Sequence, residues 1–167
     1  MLTSLQLQPL IDRHAAALRL YALQFCRWPE DAVQEAFIEL ASREEMPEHP
    51  DRWLYVVVRR RSLNVARSER RRHRREEAIA GERDDWFQMN AQQSESIQDW
   101  QRRIAMLPSL EREILVARIW GEHSFQSIAE IVECSVATVH RKYQSALQKL
   151  KTSLREEAEP LQTQTRR

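Results

Sequence analysis

Over Gln6 to Arg27 the apolar positions Leu7, Leu10, Ile11, Leu18, Tyr21, Ala22 and Phe25 recur at three- and four-residue steps, with His14 on the same face. This spacing predicts an amphipathic helix. Trp28-Pro29-Glu30-Asp31 interrupts it. Pro29 suits the first turn of a second helix, and Glu30 and Asp31 suit the positive end of that helix's dipole. The second helix is predicted to run to about Ser42, with Val33, Ala36, Phe37 and Leu40 inward and Asp31, Gln34, Glu35 and Glu39 on the other side. Met46 to Asp51 carries two prolines and reads as a loop. A third helix is predicted from about Asp51, taken as its N-cap, into an arginine tract.

From Arg75 to about Ser96 periodicity lapses, so this stretch reads as a linker in which Trp86 and Phe87 are candidates to dock elsewhere. Periodicity returns at Ile97, Ile104 and Leu107. Pro108 opens a helix bearing Leu110, Ile114, Leu115 and Ile119, and Trp120-Gly121-Glu122-His123 forms a turn. Ser124 caps a short helix over Phe125 to Glu133, Cys134-Ser135 turns the chain, and a long helix follows from Val136 to about Arg155. Pro160 and repeated Gln and Thr mark a frayed tail. No strand alternation or internal repeat competes with this all-α reading. It comprises two small helical domains joined by a flexible acidic linker, with bounds 1–75, 76–98, 99–157 and a tail at 158–167. Each half has about 60 residues and buries only roughly 60% of its surface on folding, so each invites a partner.

Composition narrows the function. Of 167 residues, 42% are apolar, 31% are charged and two are glycine. Two glycines cannot build a phosphate-cradling loop or a dinucleotide-binding turn. No apolar run approaches the roughly 18 residues of a membrane helix, and Met1 to Pro9 lacks the layout of a secretion signal, so membrane insertion is not expected and a cytoplasmic location is. Cys26 and Cys134 are isolated and read as small buried hydrophobes. His14, His49, His73, His123 and His140 are scattered, with no zinc-protease pair and no nucleophile elbow, so neither catalysis, a metal nor a cofactor is expected.

The net charge of +1 conceals segregation. Glu30 to Asp51 has eight acids against Arg43, and Arg52 to Arg75 has ten arginines against Glu69. Glu76 to Asp99 has seven acids against Arg83, and Ser135 to Arg155 has five bases and no acid. Any one block is compatible with a solvated helix face. Ten arginines in 24 residues call for a polyanion or an acidic partner nearby. Trp53, Arg60, Asn64, Arg67 and Arg71 lie within about 40° of one line on a helical wheel. An aromatic followed by spaced guanidinium groups suits single-stranded nucleic acid, through stacking and phosphate contacts; Trp53 is equally readable as core.

Ser124 to Leu150 has the layout of a helix-turn-helix, whose second helix lies in the major groove. On that helix Val136, Val139, Tyr143, Ala146, Leu147 and Leu150 form the apolar face. Thr138, Arg141, Ser145, Gln148 and Lys149 lie opposite, and His140, Lys142 and Gln144 lie on the flanks. These side-chain types can meet base edges or phosphates.

In their order along the chain, Trp28 to Ala41, Trp53 to Arg72 and Leu107 to Leu150 resemble the bacterial sigma factors, and the short two-domain layout resembles their extracytoplasmic-function (ECF) group. Asp31-Ala-Val-Gln-Glu-Ala-Phe is similar to the family's second helix, and Trp53-Leu-Tyr with the arginines after it to its promoter-melting helix. Leu107-Pro108, Ser124-Phe-Gln-Ser-Ile-Ala-Glu-Ile and Ser135-Val-Ala-Thr-Val are similar to its C-terminal helix-turn-helix. The resemblance implies a non-enzymatic transcription-initiation factor. Asp31, Gln34 and Glu35 would meet the β′ clamp helices of core RNA polymerase, and the β subunit is a further implied contact. Trp53, Arg59, Arg60, Arg61, Asn64, Arg67 and Arg71 would engage melted promoter DNA. Thr138, His140, Arg141, Lys142, Gln144 and Ser145 would read an upstream element. An anti-sigma factor is a further implied partner. The chain departs from the family's frequent residues at Arg60 (asparagine), Glu133 (glycine) and Ala137 (glycine). The chief rival is a stand-alone helix-turn-helix regulator, which would normally dimerise on palindromic sites. An RNA-binding adaptor using the arginine tract is a lesser one.

Overall fold

The computed structural model describes residues 1–76, 100 and 102–158, with side chains described through Arg71, at Trp100 and from Arg102 to Arg155. The predicted linker and tail, apart from Glu76 and Ala158 at their edges, lie outside the described residues. The ordered helices are α1 (Ser4–Ala22), α2 (Pro29–Ala41), α3 (Pro50–Glu76), α4 (Ser109–Ile119), α5 (Phe125–Val132) and α6 (Val136–Ala158), with a helical turn at 102–105 before α4. The described residues contain no strand.

Local chemistry explains the boundaries. α1 starts earlier than its periodicity suggests because Thr3 precedes it and the Gln6 side chain reaches back to accept the Thr3 N–H at 2.9 Å, which closes the first turn. It also stops at Ala22 rather than Arg27. There the Gln24 and Phe25 N–H groups turn to carbonyls three residues back, at Tyr21 and Ala22, and the last turn tightens out of the α-helix. α3 begins at Pro50, so Asp51 lies inside the first turn and is not the cap. Proline lacks an N–H, which is no loss at that position, while Asp51 still faces the helix dipole's positive end. Ser124 caps α5 as its sequence predicts, accepting the Ser127 N–H at 3.1 Å. Glu133 ends α5 in the left-handed region, φ 58° and ψ 43°, without glycine's freedom. In the preceding turn the positive φ falls on Glu122, at 54°, and not on Gly121.

α1, α2 and α3 pack as one three-helix module, and α4, α5 and α6 as a second. The two share a core. Leu18, Tyr21, Leu40, Leu54, Tyr55 and Val58 from the first belong to one continuous buried cluster with Ile114, Ile128, Ile131 and Val139 from the second. A smaller cluster of Ile104, Leu107, Leu115, Ala146 and Leu150 lies on the far side of the second module. The predicted apolar faces hold at their centres and fail at their edges. Val139 and Ala146 are fully buried, but Val136, Leu147 and Ile119 are each more than a third exposed. Among the described residues no helix is long and apolar enough to cross a membrane.

Candidate nucleic-acid interface

Two surfaces carry the predicted nucleic-acid contacts. The first is α6. The Ser135 hydroxyl accepts the Thr138 N–H at 3.2 Å and donates to the Thr138 hydroxyl at 2.9 Å, so Thr138 is engaged in capping its own helix. His140, Arg141 and Gln144 are exposed side by side, and Arg141 has no ion pair among the described residues. His140 stands edge-on to Phe125, ring centroids 5.3 Å apart, which orients its imidazole.

Lys142 and Ser145 behave differently. Glu111 on α4 is 2% exposed, and its carboxylate accepts from Ser145 Oγ at 3.1 Å and Lys149 Nζ at 2.7 Å, with Lys142 Nζ at 3.6 Å. Burial opposes its charge, but these donors hold the carboxyl below its usual range. Ser145, Lys149 and, in part, Lys142 therefore fasten α6 to α4. The face left open to a duplex is the Arg141 side. Glu111 escaped the sequence reading because an acid in a helix's first turn ordinarily signals the dipole; its i+3 relation to Ile114 was the available hint that it points inward.

The second surface is α3. Arg60, Asn64, Arg67 and Arg71 are exposed along its length, as the helical wheel predicts. Trp53 is half-buried against the core, and the Arg43 guanidinium lies 5.3 Å from its ring centroid, so core packing and cation–π contact both claim it. Arg60 and Arg61 turn toward α2. Arg60 Nη2 donates to both oxygens of Glu39 at 2.9 and 3.0 Å, and Arg61 donates to Glu39 at 2.6 Å and to Glu35. Burial works against the Glu39 charge, and the two arginines nevertheless keep its carboxyl low. Asp31, Gln34 and Glu35 are exposed on the outer face of α2, Glu35 with Arg61 across it.

Arg59 points elsewhere. Its Nε donates to Glu113 Oε1 of α4 at 2.7 Å, and Tyr21 Oη donates to the same oxygen at 2.5 Å. Glu113 is 3% exposed. Near this contact, Arg52 pairs with Glu130 of α5, and Tyr55 meets His123 edge-on at a centroid distance of 4.3 Å. Gly121 permits the approach. A Cβ there would stand 2.7 Å from Tyr55 Oη and 2.6 Å from the Ala117 carbonyl oxygen.

His123 is expected to make this junction sensitive to acid. It is 3% exposed, with Nδ1 3.8 Å from Asp51 Oδ2 and no partner on Nε2. Burial holds its imidazole below the ordinary 6.5; Asp51 pulls the other way, and His14 and Arg52 reinforce the fall. His14 is lowered too, by burial and Arg13, against Asp51 and Glu122. Tyr55 and Arg118, which donates to the His123 carbonyl at 2.8 Å, complete the surroundings. Well above pH 6.5 these histidines are neutral whether the modules are packed or not. As pH falls through 6.5 the unfolded or separated chain takes up protons first, so the packed form loses stability. The melting temperature is expected to drop between pH 7.5 and 5.5, and less so in His123→Gln. Equal drops in the two proteins would remove His123 from this role.

The geometry thus defines a class: an all-helical protein with a helix-turn-helix presenting a basic face and a second module with an arginine-lined helix. Residues 97–150 match the family described as Sigma-70, region 4. The fold as a whole is similar to that of the sigma factor RpoE of Bartonella quintana, solved in complex with the anti-sigma factor NepR. The similarity has a TM-score of 0.69 and 20% identity and covers 89% of this chain and 96% of that one. No curated protein matches the sequence.

Proposed function

We propose that this chain is a sigma factor of the ECF group that binds core RNA polymerase and directs it to promoters, performing no covalent chemistry itself and acting in the cytoplasm. The observation that carries the proposal is the region 4 match on a helix-turn-helix whose recognition helix leaves His140, Arg141 and Gln144 open to a duplex. The acidic outer face of α2, with Asp31, Gln34 and Glu35, complements a basic coiled coil such as the polymerase β′ clamp helices. Arg60, Asn64, Arg67 and Arg71 on α3 suit the separated non-template strand, whose bases cost a few kcal/mol each to unstack. RpoE's complex with NepR supports an anti-sigma protein as a further partner.

Run-off transcription with core polymerase on a promoter library tests this reading. The chain is expected to produce promoter-specific transcripts, and transcription no different from core enzyme alone would end the proposal. Asp31→Lys is expected to weaken polymerase binding while leaving duplex binding by the full chain unchanged; equal affinity for polymerase would move the docking surface off α2.

A further inference from the structure

On α6 the side chains that hold the helix and those that would read a duplex lie along neighbouring stripes. Lys142, Ser145 and Lys149 recur at three- and four-residue steps and turn to Glu111, while Arg141 and Gln144 stand exposed beside them. We infer that Glu111 is a positioning residue for sequence specificity. From behind α6 it fixes the rotation of the reading face and cancels lysine charge that would otherwise bind the backbone of any duplex. The inference rests on the proposed duplex-reading role of α6.

Both effects come from one carboxylate. Ser145 and Lys149 lie one turn apart and reach Glu111 at 3.1 and 2.7 Å, so α6 is pinned at two points on one line. Rolling α6 to present another face would strip its donors from a carboxylate that is 2% exposed, and a buried charge left unpaired is strongly disfavoured. Glu111 also lies in the first turn of α4, where the helix dipole favours its charge. The lysines sit differently from the acid. The side chains of Lys142 and Lys149 are 37% and 48% exposed, open to water on their outer side.

Ser135 to Arg155 carries five basic residues and no acid. The field of this segment on a duplex is therefore weakened by an acid from another helix, which a count of charges along α6 does not show. Backbone contacts strengthen binding to every sequence alike, whereas contacts to base edges discriminate. An uncancelled lysine beside the reading face would also support poses in which Arg141 and Gln144 miss the bases. Glu111 thus lowers total affinity and raises the ratio of specific to non-specific binding.

The test uses the full-length chain and two duplexes, an element that the chain selects from a random pool and its scramble, titrated across a salt series. Glu111→Gln is expected to tighten binding to the scrambled duplex several-fold at low salt and to lower the selected-to-scrambled affinity ratio. Its log–log salt dependence is expected to steepen by about 0.9, the increment for one more phosphate neutralised. Glu111→Leu combined with Lys149→Leu removes one charge of each sign and is expected to keep the wild-type salt dependence. Glu111→Asp, which retains the charge, is expected to do the same. An unchanged salt dependence in Glu111→Gln would overturn the charge cancellation, and an unchanged affinity ratio would overturn the role in specificity. If Glu111→Gln loses its helical circular dichroism, Glu111→Leu with and without Lys149→Leu makes the same comparison, since apolar residues are tolerated replacements for a buried ion pair. A wild type that selects no element would refute the reading role of α6, and the scrambled-duplex salt series would still decide the charge cancellation.

Discussion

Leu54→Ala is expected to lower the unfolding free energy by about 2–5 kcal/mol, against a total of about 5–15 kcal/mol for a chain of this kind. Leu54 is fully buried on α3, in the cluster that runs from α1 through to α6. Shortening it removes apolar contacts and leaves a void that rigid helices close only partly. Because the cluster crosses between modules, the loss is expected in both. Circular dichroism reports the whole chain, and the NMR methyl signals of Ile114 and Ile131 report the second module. One transition displaced equally in both signals is the expected result. If the Ile114 and Ile131 methyls kept their wild-type midpoint while the ellipticity fell earlier, the modules would have separate cores.

Arg141→Ala is expected to weaken discrimination between an upstream promoter element and a scrambled duplex by about 1–3 kcal/mol, or to reduce the salt slope by about one if the contact is to phosphate. The expectation follows from the partition of α6. Arg141 is exposed and without an ion pair among the described residues, whereas the Lys142 ammonium lies 3.6 Å from the Glu111 carboxylate. Lys142→Ala is accordingly expected to change binding less. A larger effect at Lys142 than at Arg141 would show that the duplex displaces the lysine from Glu111 and that the reading face lies further round the helix.

Helix positions were legible in the sequence wherever a local signal sets them. Pro29 at the start of α2, Ser124 before α5 and the three-to-four spacing of Ile128, Ile131 and Val132 on α5 and of Val139, Tyr143, Ala146 and Leu150 on α6 each predict what is observed. The unusual turn at Glu133 was legible too, as a carboxylate standing where the family that the sequence resembles often has glycine. What escaped depends on partners distant along the chain. Glu113 reads as one more acid in a charged helix, since nothing near it in sequence announces that Tyr21 and Arg59 converge on its oxygen. Glu39 reads as a solvated face until α3 lies beside it with Arg60 and Arg61. For the same reason a helical wheel treats every arginine of α3 alike. It takes tertiary packing to turn Arg59 inward, to tether Arg60 and Arg61, and to leave Arg67 and Arg71 in water.

The bond from Tyr21 to Glu113 joins positions 92 residues apart. During synthesis from the N-terminus, the first three helices therefore emerge well before the segment that covers Tyr21, Leu54 and Tyr55. Until α4 and α5 leave the ribosome, that apolar flank stands uncovered beside a strongly basic helix and is open to association with other nascent chains. Closing contacts so far separated along the chain also makes the final assembly step slower than the formation of the individual helices.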